Sequence, residues 1–217
     1  MITKPCIQTA AALFLAVAFM IGAADPGPAS AAGPANALSN GSIARLPDTP
    51  QADHYLVIGE NDFSAGYGRV RKGWCITSEA KSFTARAQTA IQAAIDLQEQ
   101  TGADYVSIKM TPIDKIGCGV YHAAMAEYSP DGGGPTGSEE NRVWWVKASD
   151  VTLGAEARLV AIAWEEVRDK FEANGEVNIE AMTRYLSGQL NLTPQEVRDY
   201  WLECVEMNLH LKQYEIH

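Results

Sequence analysis

Apolar side chains along the chain follow two rhythms: a two-residue one dominates between residues 54 and 150, and a 3.6-residue one takes over after Leu153. Two β-type runs come first, YLVIG at Tyr55 to Gly59 and RVRKGWCI at Arg69 to Ile76, with a turn region containing Asn and Gly between them. Phe83, Ala87, Ala90, Ile91, Ala94 and Leu97 then recur at helical spacing, and Gly102 follows as a stop. In DYVSIKM, Asp104 to Met110, Val106, Ile108 and Met110 alternate with Ser107 and Lys109, the pattern of a half-buried strand. GVYHAAMAEYS and RVWWVKAS predict two more strands, separated by SPDGGGPTGSEEN as a long polar turn.

Past Leu153, Val160, Ala163, Trp164, Val167 and Phe171 share one helical stripe that runs to Asn174-Gly175. Asn178 is placed to cap NIEAMTRYLSGQL, with Ile179, Met182, Tyr185, Leu186 and Leu190 apolar. Thr193-Pro194-Gln195-Glu196 is a helix start, with a capping hydroxyl, a proline in the first turn and Glu at the capping-box position. The expected fold is therefore α+β, a small mixed β-β-α-β-β-β sheet packed on one helix and followed by a three-helix C-terminal segment. A right-handed crossover through the first helix makes its two flanking strands parallel.

The N-terminal 53 residues break both rhythms. After Lys4 an uncharged run extends from Cys6 to Ala24, and Ala29-Ser30-Ala31 offers a small-x-small cleavage site. That pattern predicts a signal peptide over residues 1–31, with an N-terminal anchor as the alternative because the run approaches the roughly 20 residues a bilayer needs. Either way the rest of the chain leaves the cytoplasm, to be periplasmic, secreted or held at the inner membrane facing the periplasm. Cys6 lies before the apolar run, which argues against a lipid-modified cysteine at the cleavage site. Residues 32–53, rich in Pro, Ala and Gly, read as a flexible spacer. The folded part then divides into an α+β domain at 54–150 and a helical segment at 151–217. About 160 residues suffice to bury roughly 70% of the extended-chain surface, so no cofactor is required for folding. The formal net charge of −10 repels phosphate backbones and anionic lipid. Nucleic acid is not expected as a partner, and membrane contact is expected only through an uncleaved N-terminal segment.

Cysteine chemistry narrows next. Cys204 falls on the apolar stripe of the last helix and reads as a buried hydrophobe. Cys75 ends a strand and Cys118 begins the one that turns back beside it, so both are expected at one rim of the sheet, where an exported protein keeps a disulfide. The alternative is a pair of thiols too far apart to bridge. Thiol catalysis by Cys118 and His122 conflicts with their placement in a strand, where residues four apart stand about 13 Å from each other at roughly 3.3 Å per residue.

Other constellations give less. PDGGGPTG lacks the following Lys and helix that a phosphate loop needs. Asp131, Glu139 and Glu140 lack the regular oxygen spacing of a calcium loop, and His54, His122, His210 and His217 show no metal-ligand spacing. Arg69, Arg71 and Lys72 read as a solvated edge strand. The last two helices are spaced like a helix-turn-helix, yet the second presents Glu196, Asp199, Glu203 and Glu206 where a DNA-reading helix needs cations or amides. Trp144 and Trp145 point to opposite sides of their strand, so one ring is expected in the core and the other free for contact with a partner.

AEYSPDG followed by WWVKAS, within Tyr55 to Ser149, resembles a bacterial domain family of unknown function found in small exported proteins. The resemblance implies no catalytic, cofactor or metal residue. The sequence thus points to an exported, non-enzymatic binding module with a protein or envelope partner. The alternatives are a small hydrolase assembled from distant residues such as Asp62, Glu127 and His122, and a thiol-redox protein using free Cys75 or Cys118.

Overall fold

The computed structural model describes residues 46–66, 68–119, 121–138 and 141–216. The expected export signal and most of the spacer lie outside them. The described residues fall within one compact unit, Ile43–His217.

Two strands open the fold, β1 (Tyr55–Asp62) and β2 (Arg71–Ser78), followed by α1 (Phe83–Thr101) and β3 (Tyr105–Thr111). Then come β4 (Ala124–Tyr128), β5 (Trp144–Ala148) and α2 (Ala155–Val167). The two-residue strands β6 (Glu172–Ala173) and β7 (Glu176–Val177) precede α3 (Ile179–Leu190), α4 (Pro194–Leu209) and β8 (Lys212–Gln213). The main sheet has the order β1-β2-β3-β4-β5-β8, and β2 and β3 are parallel while the other neighbours are antiparallel. This is the mixed α+β sheet that the sequence predicts, with the crossover helix between its parallel pair.

Local chemistry sets the helix ends. The Ser82 hydroxyl accepts from the Ala85 amide, and Gly102 closes α1 at a φ of 65°. Asn178 caps α3 through the Ala181 amide. Thr193 and Glu196 exchange the reciprocal hydrogen bonds of a capping box at α4.

Helix α1 packs across β3, β4 and β5. Its alanines Ala87, Ala90 and Ala94 are fully buried, so the helix axis can approach the sheet closely, while Ile91 and Leu97 fill the space between. Each such buried large side chain contributes roughly 1.5–3 kcal/mol. On the sheet, Ile76, Val106, Ile108, Met110, Ala126 and Val146 face the helix. Ala157 and Ala161 of α2 and Cys204 and Met207 of α4 join this same core. A second apolar cluster forms among α2, α3 and α4, where Trp164 stacks on Trp201 at 4.7 Å between ring centroids.

Three local expectations give way. Residues 49–53, read as the end of a spacer, dock on α1: the Gln51 amide donates to Gln88 at 2.7 Å and the Asp53 amide to Thr89 at 2.8 Å. Gln88 and Thr89 are nearly buried for that reason. The stripe that predicted a helix to Phe171 breaks after Val167, and Asn174-Gly175 is not a helix stop. Both residues have positive φ, 56° and 81°, the requirement of a tight hairpin turn, here between β6 and β7. Strand β4 begins at Ala124 rather than Gly119, with Cys118 held against β2 by its bond to Cys75.

Candidate functional site

With α1 on one side, strand alternation sends Arg71, Gly73, Cys75, Tyr105, Ser107, Lys109, Met125, Glu127, Trp145 and Lys147 to the other. No helix–strand packing comparable to that of α1 covers this second face among the described residues. Register builds it in rows. Gly73, Ser107, Glu127 and Trp145 lie side by side, and so do Cys75, Lys109, Met125 and Lys147.

The tryptophan pair divides as alternation requires. Trp144 turns to the helix side and stacks on Tyr128, with centroids 4.1 Å apart and planes inclined by 12°. Trp145 turns to the open side, with Lys147 Nζ 4.9 Å and the Arg142 guanidinium 6.0 Å from its ring centre. Both rings are half-buried, so the expected contrast of a core ring and a free ring does not hold; cations already lie against Trp145. Arg142 also donates to Glu127 at 2.7 Å. Tyr105 sits beneath the Arg71 guanidinium at 5.6 Å. Burial, then the nearby Glu127 carboxylate, raises the Tyr105 hydroxyl well above its ordinary pKa.

At one end of this face a hollow of about 230 Å³ is lined by Phe63, Gly73, Cys75, Ser107, Lys109, Cys118 and Gly119. Gly73 lets the Phe63 ring lie over it, since a Cβ would come within 2.4 Å of that ring as placed. The opposite wall is the disulfide between Cys75 and Cys118, which closes a 43-residue separation. Cys75 stands in mid-strand opposite Lys109, so the bridge lies on the open face rather than at the expected rim.

His122 corrects the strand geometry. It precedes β4, and its ring folds back so that Nε2 is 2.9 Å from the Cys118 carbonyl oxygen. The two residues meet after all, but the sulfur is bonded to Cys75 and the histidine meets a backbone oxygen. Burial chiefly lowers the His122 pKa, with Lys109 nearby acting the same way, and its amide donates to the Asn208 side chain of α4.

The glycine-rich turn also differs from a free loop. Arg69 grips Asp131 through its two terminal guanidinium nitrogens, at 2.8 and 3.0 Å, and reaches the Asp104 carbonyl at 2.9 Å. Ser129 and the Gly133 amide donate to the same carboxylate. Gly133 is small because a Cβ there would meet the guanidinium at 2.8 Å, and Gly137, at a φ of 80°, would meet it at 3.0 Å. Arg69, Arg71 and Lys72 are thus not a solvated edge: β1 lies outside β2, and Lys72 pairs with Asp62 at 3.0 Å and Glu60 at 3.3 Å.

Arg69→Ala should therefore free the turn, costing roughly 1–3 kcal/mol for the lost charge-assisted bonds. Hydrogen exchange at the Gly133 and Arg142 amides should speed more than tenfold while α1 stays protected; unchanged exchange would refute the clamp. The same pair predicts an acid response. Arg69, above all through its hydrogen bonds, holds the Asp131 carboxyl well below its ordinary range. A depressed carboxylate stabilises the fold above its unfolded pKa and stops doing so as pH falls through the folded one.

A larger cleft of about 570 Å³ sits at the carboxyl ends of the parallel strands β2 and β3, lined by His54, Leu56, Glu79, Asp114, Arg158 and Ile162 among others. It is the usual place for a ligand in a parallel strand pair. The residues named for the alternative hydrolase, Asp62, Glu127 and His122, do not gather there. Asp62 bonds Ser64 and Lys72, Glu127 bonds Arg142, and His122 lies against Cys118. Hydrogen bonds from Ser64 chiefly hold the Asp62 pKa down at about 2. None of the three lines the hollow or the cleft.

Sequence reasoning found Trp145 but missed Arg142, Lys147, Lys109, Tyr105 and Phe63. Alternation alone could have placed Lys109 and Lys147, since Ser107-Lys109 and Trp145-Lys147 are the polar phases of their strands. Among the described residues there is no cluster of three or more His, Cys, Asp or Glu suited to a metal ion, and no helix long and apolar enough to cross a membrane.

No curated protein matches the sequence. The crystal structure of a DUF487 family protein from Desulfovibrio piger ATCC 29098 shares the fold, with 24% identity over 67% of this chain and 90% of that one and a TM-score of 0.56. Residues 50–202, a span that takes in five of the six strands of the main sheet, its open face and most of the helical layer, match the domain of unknown function DUF4875, and the chain belongs to that family.

Proposed function

We propose that this protein is a non-enzymatic binding module of the bacterial cell envelope, exported by its N-terminal segment, whose open sheet face engages a protein or envelope partner. The observation that carries the reading is Trp145 held between Arg142 and Lys147 on a solvent-facing sheet surface. Aromatic and arginine side chains on an open surface are the residues that dominate binding energy in interfaces. Export is supported by the charged start, the long uncharged run and the small-x-small site. A disulfide of the kind found here persists outside the reducing cytoplasm.

Capture from envelope extracts tests it. Wild-type protein should retain a defined partner, and Trp145→Ala should reduce that capture at least fivefold. Leu56→Lys, on the exposed edge strand β1, should leave it unchanged. Turnover in a screen of ester, peptide, glycoside and phosphate substrates, lost on changing Glu79 or Asp114, would overturn the reading in favour of a hydrolase at the strand-end cleft.

A further inference from the structure

Lys109 and Lys147 stand in one row of the open face, on β3 and β5, with Met125 of β4 between them. Among the described residues neither ammonium group has a carboxylate partner, whereas Arg142, Lys72, Arg69 and Lys212 all do. Lys147 lies over the Trp145 ring, and the row carries two cations that no carboxylate offsets in a chain of net charge −10. Their strands are two spacings apart, which puts the two backbones roughly 9.6 Å from each other. Carboxylates three residues apart on a polyproline-II segment share one side and stand about 9 Å apart at roughly 3.1 Å per residue, which matches that separation.

We propose that the Lys109, Met125 and Lys147 row is a docking site for an acidic polypeptide segment in the polyproline-II conformation, which crosses the strands and sets two carboxylates, three residues apart, against the two lysines. The proposal rests on the open face being the binding surface. Three further observations favour a peptide. Trp145 already has two cations against its ring, which leaves little free π-surface for stacking a sugar. Met125, half-buried between the lysines, offers a flexible apolar contact to the residues between the acids. Beyond Lys109, the hollow walled by Phe63 and the Cys75–Cys118 bridge can take an apolar side chain next to an acid, which a uronate polymer does not carry.

The test uses the folded full-length protein and a labelled, end-blocked peptide Leu-Glu-Ala-Ala-Glu, with Leu-Lys-Ala-Ala-Lys and polygalacturonate as comparisons. The acidic peptide should bind at low ionic strength, weaken as salt screens the pair, and lose at least tenfold in affinity in the Lys109→Glu, Lys147→Glu variant. That variant should melt like wild type, because both lysines reach solvent. Binding of the basic peptide, tighter binding of polygalacturonate, or no effect of the double substitution would each overturn the proposal. If the acidic peptide fails while capture from envelope extracts still depends on Trp145, the ligand class is wrong and the open face stands. Loss of both removes the binding reading itself.

Discussion

Replacing Cys75 and Cys118 together by alanine should lower the unfolding free energy by roughly 4 kcal/mol, the chain-entropy value for a loop of 43 residues. The loop so closed contains the whole of α1 and β3, together with residues 112–117, the segment that leads from β3 to Cys118. Without the bridge the unfolded chain regains the freedom to separate β2 from that segment, and the folded chain loses little, because β2 and β3 still pair directly. The loss should therefore appear as a lower urea midpoint with an unchanged slope. Wild-type protein in reductant should match the double variant. Alanine is preferable to serine, since Cys75 is almost buried and an added hydroxyl would need a partner. A loss under 1 kcal/mol would show that residues 112–122 are ordered without the covalent link, by His122 and Asn208 alone. A change in slope would mean that the bridge had also been compacting the denatured state.

The hollow beside the bridge gives this prediction a functional side. Its wall is the disulfide itself, so the reduced protein should keep the Lys109–Lys147 row but lose the apolar recess next to Lys109. Affinity for the acidic peptide should then fall less than in the double lysine variant, with the leucine of the probe no longer contributing.

Much of this architecture is legible in the sequence because it follows from local rules. Helix α1 announces itself through alanine and leucine spacing and through Ser82 and Gly102 at its ends. The parallel pair follows from the crossover rule, and the placing of Trp144 and Trp145 on opposite faces follows from strand alternation. What stays hidden depends on contacts distant in sequence. The glycine run looks like a free loop until Arg69, more than sixty residues upstream, closes on Asp131. His122 looks extended until the disulfide turns the chain ahead of β4. Asn174-Gly175 is ambiguous on its own, since the pair can end a helix or make a hairpin, and only the pairing of β6 with β7 decides. The open face is a middle case. Alternation lists its members, but that Arg142 and Lys147 converge on Trp145 depends on the register between β4 and β5.

Arg86 shows how far such hidden contacts can matter, and its removal is the second large effect expected. It lies in the first turns of α1, where an arginine reads as surface, yet only 2% of it is exposed. Its Nε donates to the Ala80 carbonyl at 3.0 Å, and Nη1 donates to the carbonyls of Ser149 and Val151, both at 2.7 Å. One guanidinium thereby ties the connection from β2 into α1 to the connection from β5 into α2. Burial pushes its pKa down and Arg158 adds to the effect, with Asp150 opposing, but an arginine stays protonated under such pressure. Arg86→Ala should cost about 3–5 kcal/mol, as expected when one partner leaves a buried charge-assisted set and three carbonyls lose their donor. Arg86→Lys should recover only part of this, because a single ammonium cannot reproduce the planar fork. The two variants separate the possible causes: a simple cavity would be largely filled by lysine, whereas a fork requirement would not. Strand β5 ends one residue before Ser149, so hydrogen exchange in β5, which carries Trp145 and Lys147, should accelerate in the lysine variant before global unfolding does. If Arg86→Ala instead unfolds within 1 kcal/mol of wild type, water or a neighbouring side chain must satisfy those carbonyls, and the open face does not depend on this anchor.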